Sequence, residues 1–311
     1  MTHRQLRIIL LFPAVICGAL LFVGGPNQLA PTMFIKAWDL GHILVGLLWS
    51  WLIFEAWRPR RLTFRGVLVW GLGLTLLIGG GVELLQMGIP GRTASMLDLL
   101  SDLTGTLLTL FYLLPERLEW PMNYRRIGQA VVLLLVLVAV APVARAALVD
   151  ARAWSDFPVL TDFSAPFALD RWEGSAQRSL VAETAGVPSP SMDVRFGCER
   201  YSGIFLARMP RDWSDYKVLS LEFFLPDGTG LDLTCRINDA EHLDRGQEYA
   251  DRFNLSLHLQ PGWNYIDIPL EEVRQAPRGR DLDLSAIAGF GFFTVNLQEP
   301  RRLFVHAIRL R

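Results

Sequence analysis

Five long apolar runs crowd into the first 149 residues, and each needs apolar surroundings along its whole length. They span residues 6–24, 40–57, 66–87, 97–114 and 129–149. Each is near the ~20 residues with which a helix crosses ~30 Å of hydrocarbon. The first carries Arg7 and follows Arg4, and no small-x-small cleavage site comes after it, so it reads as an uncleaved span. Runs of this kind exclude an ordinary soluble enzyme. The mean hydropathy of only +0.28 over 311 residues excludes a chain embedded throughout, so two unlike parts are expected, 1–149 and 150–311.

Charge sets the orientation. With the N-terminus inside, the inner segments hold Arg4, Arg7, Arg58, Arg60, Arg61, Arg65, Arg117, Arg125 and Arg126, nine cations. The outer segments hold four: Lys36, Arg92, Arg145 and Arg152. Cytoplasmic loops carry the excess of Lys and Arg, so five spans place residues after about 150 outside a cytoplasmic (inner) membrane. The net charge of −1 supplies no global basic field and argues against nucleic acid as a partner. Ten tryptophans suit membrane interfaces, sugar stacking or both.

Beyond residue 150 the apolar pattern changes to period two, the mark of half-buried strands. Leu219, Leu221, Phe223 and Leu225 alternate, as do Leu231, Leu233, Cys235 and Ile237, and then Phe253, Leu255, Leu257 and Leu259. Turn signals at 226–228 (Pro-Asp-Gly) and 261–262 (Pro-Gly) separate them. Some eight to ten strands and almost no helix predict an all-β antiparallel sandwich of jelly-roll type behind an all-α transmembrane bundle. Cys198 and Cys235 would both lie in an oxidising space and are a possible disulfide. Cys235 also fits a buried thiol on the apolar face of its strand.

The segments LTDFSAP, RYSGIFLARMPRDWSDYKVLSLEF, CRINDAEH, DRFNLSL, QPGWNYIDIPL and LFVHAIRL resemble the galactose-binding-like jelly rolls of carbohydrate-binding modules, over most of 159–311. Such domains often hold a structural calcium with an acid in the last strand. Here the nearest position is His306, and no metal site is expected. The resemblance implies that Trp213 and Trp263 are core or turn anchors, with Trp172 and Tyr201 as weaker stacking candidates. A long loop of mixed charge follows the strand ending in CRIND. Arg236, Asn238, Asp239 and His242 lead into it, and Tyr249, Asp251 and Arg252 lead out. Acid, arginine, amide and aromatic together are what a sugar needs for hydrogen bonding and stacking. A surface loop with local ion pairs is the other reading.

Polar residues within the spans require a reason. Glu83 and Gln86 share a helix face, as do Asp98, Asp102 and Gly105, with Arg92 and Ser95 between the two runs. The order of spans brings this stretch and the segment holding Lys36, Asp39 and His42 to the outer leaflet together. E-x-x-Q, Pro-Gly-Arg, Ser, then D-x-x-x-(N or D)-x-x-G, preceded by Lys and His, resembles the VanZ-like family over residues 30–115. Some of its members are linked to glycopeptide resistance. Asp102 stands where that family usually has Asn. The resemblance implies a polar site of Lys36, His42, Glu83, Gln86, Arg92, Ser95, Asp98 and Asp102. Simpler roles are also open: Ser95 and Asp98 fit a capping box, Arg92 fits an ion pair or a lipid phosphate, and His42 fits a satisfied interfacial group. Glu55 beside Arg58 reads as a snorkelling ion pair.

The leading expectation is a membrane protein presenting a glycan-binding jelly roll in cell-envelope or exopolysaccharide processes or the glycopeptide response. Its partners would be membrane lipid, an envelope or lipid-linked glycan, and other envelope proteins, with no cofactor. The rivals are a membrane enzyme using Glu83, Asp98 or Asp102 on a lipid-linked glycan or phosphate, and a structural docking module. No Ser-His-Asp, Cys-His or metal-ligand motif is recognisable, so catalysis has little support in the sequence.

Overall fold

The computed structural model describes residues 3–23, 25–26, 29–57, 63–88, 95–114, 120–181, 189–226 and 228–311. Arg58, Arg60, Arg61, Arg92, Arg117 and Asp227 lie outside the described residues, as do the side chains of Arg4 and Arg7. Contacts divide the chain into two units, Met1–Ala146 and Ala147–Arg311.

The first unit is helical. It contains α1 (His3–Leu20), α2 (Thr32–Asp39), α3 (Gly41–Trp57), α4 (Phe64–Gln86), α5 (Met96–Leu108) and the start of α6 (Met122–Asp156), with a π-helical turn at Thr109–Leu113 continuing α5. Four stretches among the described residues are long and apolar enough to cross a membrane: Thr32–Ala56, Phe64–Gln86, Met96–Leu113 and Met122–Asp156. The apolar part described in α1, Ile8–Leu20, is shorter than these. The chain leaves the helix after Leu20, just before Gly25 and Pro26, which do not extend one.

Burial in this unit runs opposite to that of a water-soluble bundle. Val69, Leu77, Leu84, Leu134 and Val138 are exposed, while His42, Ser50, Glu83, Asp102, Thr106 and Thr109 are buried. An apolar exterior suits hydrocarbon, and polar groups facing inward find partners there. The Ser50 hydroxyl bonds Thr109 Oγ1 at 2.9 Å, and the Thr75 and Thr106 hydroxyls meet at 2.7 Å. These bonds tie α3 to the π turn and α4 to α5.

Glycine sets the closest approach. A Cβ at Gly105 would overlap the Ile43 carbonyl and the Leu47 nitrogen, so α5 lies against the α3 backbone. Small residues at such crossings let membrane helices touch.

The second unit contains β1 (Val159–Thr161), β2 (Trp172–Glu173), β3 (Gln177–Val181), β4 (Ser191–Phe196), β5 (Tyr201–Leu206), β6 (Val218–Leu225), β7 (Leu231–Asp239), α7 (Ala240–Asp244), β8 (Phe253–Leu259), β9 (Gly262–Pro269), α8 (Leu270–Arg274), β10 (Ile287–Val295) and β11 (Arg301–Leu310). One sheet runs β3-β4-β11-β6-β9 with β1 added on β11; the other runs β2-β5-β10-β7-β8. All the pairings are antiparallel.

The period-two residues fill the space between the sheets. Leu219, Leu221, Phe223 and Leu225 of β6 are buried with Leu231, Leu233, Cys235 and Ile237 of β7. The Phe223 and Phe292 rings meet edge to face at 5.1 Å. Trp213 is buried in this core and donates Nε1–H to the Pro210 carbonyl at 3.0 Å. Trp172 is buried too, which removes it as a stacking platform. Cys235 and Cys198 are both free, the first buried in the core and the second exposed, so the buried-thiol alternative is the one found. Burial pushes the Cys235 thiol well above its ordinary range.

Candidate functional site

Three helices build a polar cluster in the first unit. Ser95 caps α5 by accepting from the Asp98 N–H at 3.3 Å, and its own N–H donates to Glu83 Oε2 at 2.8 Å. The cap thus fastens the start of α5 to the end of α4. Asp98 and Asp102, four residues apart, then project from one face of α5. His42 of α3 stands between them, Nδ1 3.3 Å from Asp102 Oδ1 and Nε2 3.6 Å from Asp98 Oδ2. A Cβ on Gly79 would lie only 2.9 Å from Asp102 Oδ2, so this glycine leaves the space that carboxylate occupies.

His42, Glu83 and Asp102 are each 5% exposed. Glu83 Oε1 is buried and has no hydrogen-bond partner. Among the described residues no lysine or arginine pairs with Glu83, Asp98 or Asp102. Donor atoms of His42, Glu83 and Asp98 all lie within 4.8 Å of one another, the spacing of a group able to hold a metal ion. The sequence shows no such motif because the three residues come from three helices.

The other members of the sequence-derived set stand apart. Lys36 pairs with Asp39 at 3.9 Å, and both are well exposed. Gln86 donates to the Leu21 carbonyl at 2.6 Å and ties α4 to the end of α1. Arg92 lies outside the described residues. Asp102 also borders an apolar cavity of about 70 Å³ lined by Gly46, Trp49, Ile53, Leu74 and Ile78.

In the sandwich, the structure separates the predicted loop residues into two groups. Asp239 and His242 are fully buried and are not surface ligand groups; Asn238 is also buried. Asp239 caps α7 by accepting from the His242 N–H at 3.1 Å, and it also accepts from the Asp283 N–H at 2.9 Å. Arg280 joins it in a bidentate pair, Nη1–Oδ2 2.5 Å and Nη2–Oδ1 3.0 Å, and reaches Asp251 Oδ1 through Nε at 2.7 Å. The His242 ring closes the network at 3.2 Å from Asp251.

A buried charge needs such partners, and they came from a distant segment that the sequence did not mark. Hydrogen bonding to Arg280 holds the Asp251 carboxyl down to about 2. For Asp239, burial acts to raise the pKa, but the Arg280 and backbone bonds outweigh it and the net direction is downward. These acids hold the loop in place.

The second group is Arg236, on β7 of the β2-β5-β10-β7-β8 sheet, with Tyr249 in a 3-10 turn and Arg252 immediately before β8. Pairing sets Phe205, Gly291, Arg236 and Asn254 side by side across four strands, with Gly203, Phe293, Thr234 and Ser256 in the next row. A Cβ on Gly291 would meet the Phe205 ring at 2.5 Å. The ring therefore lies across β10 toward Arg236, whose Cζ is 5.9 Å from its centroid.

Arg236 Nε donates to Asn238 Oδ1 at 3.2 Å and Arg252 Nε to Asn254 Oδ1 at 3.0 Å. Neither arginine has a carboxylate partner among the described residues. Burial, then the Arg252 charge, lowers the Arg236 pKa to about 10. Burial also lowers that of Arg252, against opposing effects of Tyr249 and Tyr201. Tyr249 and Tyr201 are 63% and 55% exposed, and Arg252 Cζ sits 5.3 Å over the Tyr249 ring. Phe205 and Phe293 were missed in the sequence. Strand parity with Tyr201 and the facing glycines were the available signals.

The other sheet carries Trp263, expected as an anchor. It is 42% exposed and stacks on Tyr265 at 5.5 Å, because alternation along edge strand β9 sends both rings outward. Two arginines of this sheet are paired with acids: Arg302 is bidentate to Asp193 at 2.8 Å, and Arg311 bonds Asp267 at 2.8 Å.

No family model matches the chain, the VanZ-like family included, and no curated protein matches it. Among solved structures, the C-terminal region is similar to a family 11 carbohydrate-binding module from Clostridium thermocellum in complex with a β-1,3-1,4-mixed-linked tetrasaccharide. Identity is 20%, coverage 49% of this chain and 93% of that one, and TM-score 0.38. An exo-β-agarase is similar at 15% identity over 49% of this chain and 24% of that one, TM-score 0.39, so the match spans about a quarter of the agarase. A non-crystalline-cellulose-specific module of family 28 is similar at 10% identity, over 46% of this chain and 88% of that one, with TM-score 0.34.

Proposed function

We propose that this chain is an envelope membrane protein whose sandwich binds a glycan bearing acid groups on the outward face of the β2-β5-β10-β7-β8 sheet. One observation carries the reading. Arg236 and Arg252 lie half-buried beside aromatic rings, repel each other and have no carboxylate partner among the described residues. A carboxylate, sulfate or phosphate on a sugar supplies the missing charge, and Phe205, Tyr201 or Tyr249 supplies a stacking surface. The motif shared with the VanZ-like family supports a role in envelope processes or the glycopeptide response, and the nine-to-four excess of inner cations supports a sandwich outside the cytoplasmic membrane.

The full chain in lipid nanodiscs, titrated against an array of acidic and neutral envelope polysaccharides, tests this. Acidic glycans bind, and Arg236→Ala removes a charge-assisted hydrogen bond worth about 1.5–3 kcal/mol, roughly 10–150-fold in affinity. Binding to no glycan, with capture of an envelope protein that Arg236→Ala abolishes, would make the face a docking surface instead. A second reading, an enzyme acting on a lipid-linked glycan or phosphate, is favoured by Asp102, which belongs both to the polar cluster and to the apolar cavity. Such a cavity suits part of an acyl or isoprenoid chain.

A further inference from the structure

We propose that His42, Glu83 and Asp98 bind one divalent transition-metal ion, of the zinc or manganese type, with Asp102 orienting the imidazole. The proposal is independent of the glycan reading, since it concerns the other unit. Its donors are an imidazole nitrogen and carboxylate oxygens, a set that suits zinc and manganese; magnesium and calcium take oxygen alone.

The geometry distinguishes the two sides of His42. Nδ1 is 3.3 Å from Asp102 Oδ1, so Asp102 accepts the ring N–H. That fixes the tautomer and leaves the Nε2 lone pair facing Asp98. Metal-ligating histidines commonly give their other N–H to a carboxylate in this way. Nε2 and Asp98 Oδ2 are 3.6 Å apart, too long for a good hydrogen bond. Donors arranged tetrahedrally about zinc at about 2.1 Å stand about 3.4 Å from one another. The pair is thus spaced as two ligands of one ion.

Glu83 gives the independent sign of a ligand. Its Oε2 is held by the Ser95 N–H at 2.8 Å, while Oε1 is buried with no partner. An unpaired carboxylate oxygen in so buried a residue is costly unless a cation meets it. Three carboxylates surround His42, and among the described residues no lysine or arginine pairs with them. A divalent ion offsets two of the charges that these carboxylates carry when ionised. Asp98 is the least buried of the four, at 22% side-chain exposure, and gives the ion its way in. Three protein ligands leave a fourth position for water or a substrate oxygen.

The test uses the full chain in detergent, stripped with a chelator and then dialysed against Zn²⁺ or Mn²⁺, with metal content read by mass spectrometry. About one ion per chain is retained, and X-ray absorption shows imidazole and carboxylate scatterers around it. His42→Ala and Glu83→Gln remove the ion. Asp102→Asn, which keeps all three ligands, weakens retention about 10–100-fold. Asp39→Asn, at an exposed acid outside the cluster, retains it in full. No ion in the wild-type chain, or an ion without imidazole scattering, overturns the proposal and assigns the charge balance to protons. Equal retention by a folded Glu83→Gln chain overturns it too. The wild-type measurements decide even if a variant does not fold.

Discussion

The carbonyl of Asp102 stands where a Cβ on Gly46 would have to be, so α3 and α5 meet backbone to backbone one turn beyond His42. The same crossing that brings the helices together carries His42 to the aspartates. Gly46→Leu must separate the helices or fail to pack. It is expected to lower stability by about 1–3 kcal/mol or more and to take the cluster apart. Gly73→Ala, inside α4 where nothing lies within 4 Å of the new methyl, should hold or slightly raise the thermal unfolding midpoint in detergent.

Glycan affinity on the sandwich face should separate into a charged and an apolar part. Raising salt from 0.01 to 0.15 M shortens the screening length from about 30 to about 8 Å, so binding of an acidic glycan weakens. Phe205→Ala should cost a further ~1 kcal/mol at either salt, a roughly fivefold loss read by titration calorimetry. Equal salt dependence for neutral and acidic glycans would remove the role given to the arginine pair.

Arg280 holds two acids, Asp239 and Asp251, at once. Arg280→Met leaves the fully buried Asp239 with backbone N–H donors but no cation, and leaves Asp251 only His242 and the more distant Arg245. The expected loss is about 3–5 kcal/mol of sandwich stability, measured by denaturant unfolding of the full chain through Trp172 and Trp213 fluorescence. Arg311→Met, at a pair exposed on both sides, should cost about 1 kcal/mol or less.

The same network predicts how stability responds to acid. Asp251 is held down to about 2 from an ordinary 3.8, first by hydrogen bonding to Arg280. A carboxyl whose pKa is lower in the folded state stabilises the fold fully above its unfolded value. Its contribution therefore persists above about pH 4 and disappears as pH falls through about 2. Denaturant midpoints should fall over that window in the wild type and fall less in Asp251→Asn.

Topology is testable with fusions. Reporters that need an oxidising exterior should be active after residue 150, and a cytoplasmic reporter should be silent there. The reverse result would withdraw the outside placement and every envelope glycan with it.

Period and polarity along the sequence determined a large share of this protein. Apolar runs of helix-spanning length called for a bundle, and alternation at 219–225, 231–237 and 253–259 called for strands with one buried face. Spacing placed Asp98 with Asp102 on one face, because a helix repeats every 3.6 residues. Such signals are local, so they survive in the sequence. What tertiary structure decided was partnership. Arg280 meets Asp239 across some forty residues, and His42 meets Asp102 across sixty. No periodicity links such positions. Asp239 and His242 looked like surface ligands beside Arg236, yet the fold buries them against an arginine from another segment while Arg236 stays on the sheet face. Trp263 faces outward although a turn anchor was expected, because parity on an edge strand overrides its place beside Pro261 and Gly262. The three ligands of the proposed metal site come from α3, α4 and α5, and only the glycine-lined crossing of these helices gives them a common centre.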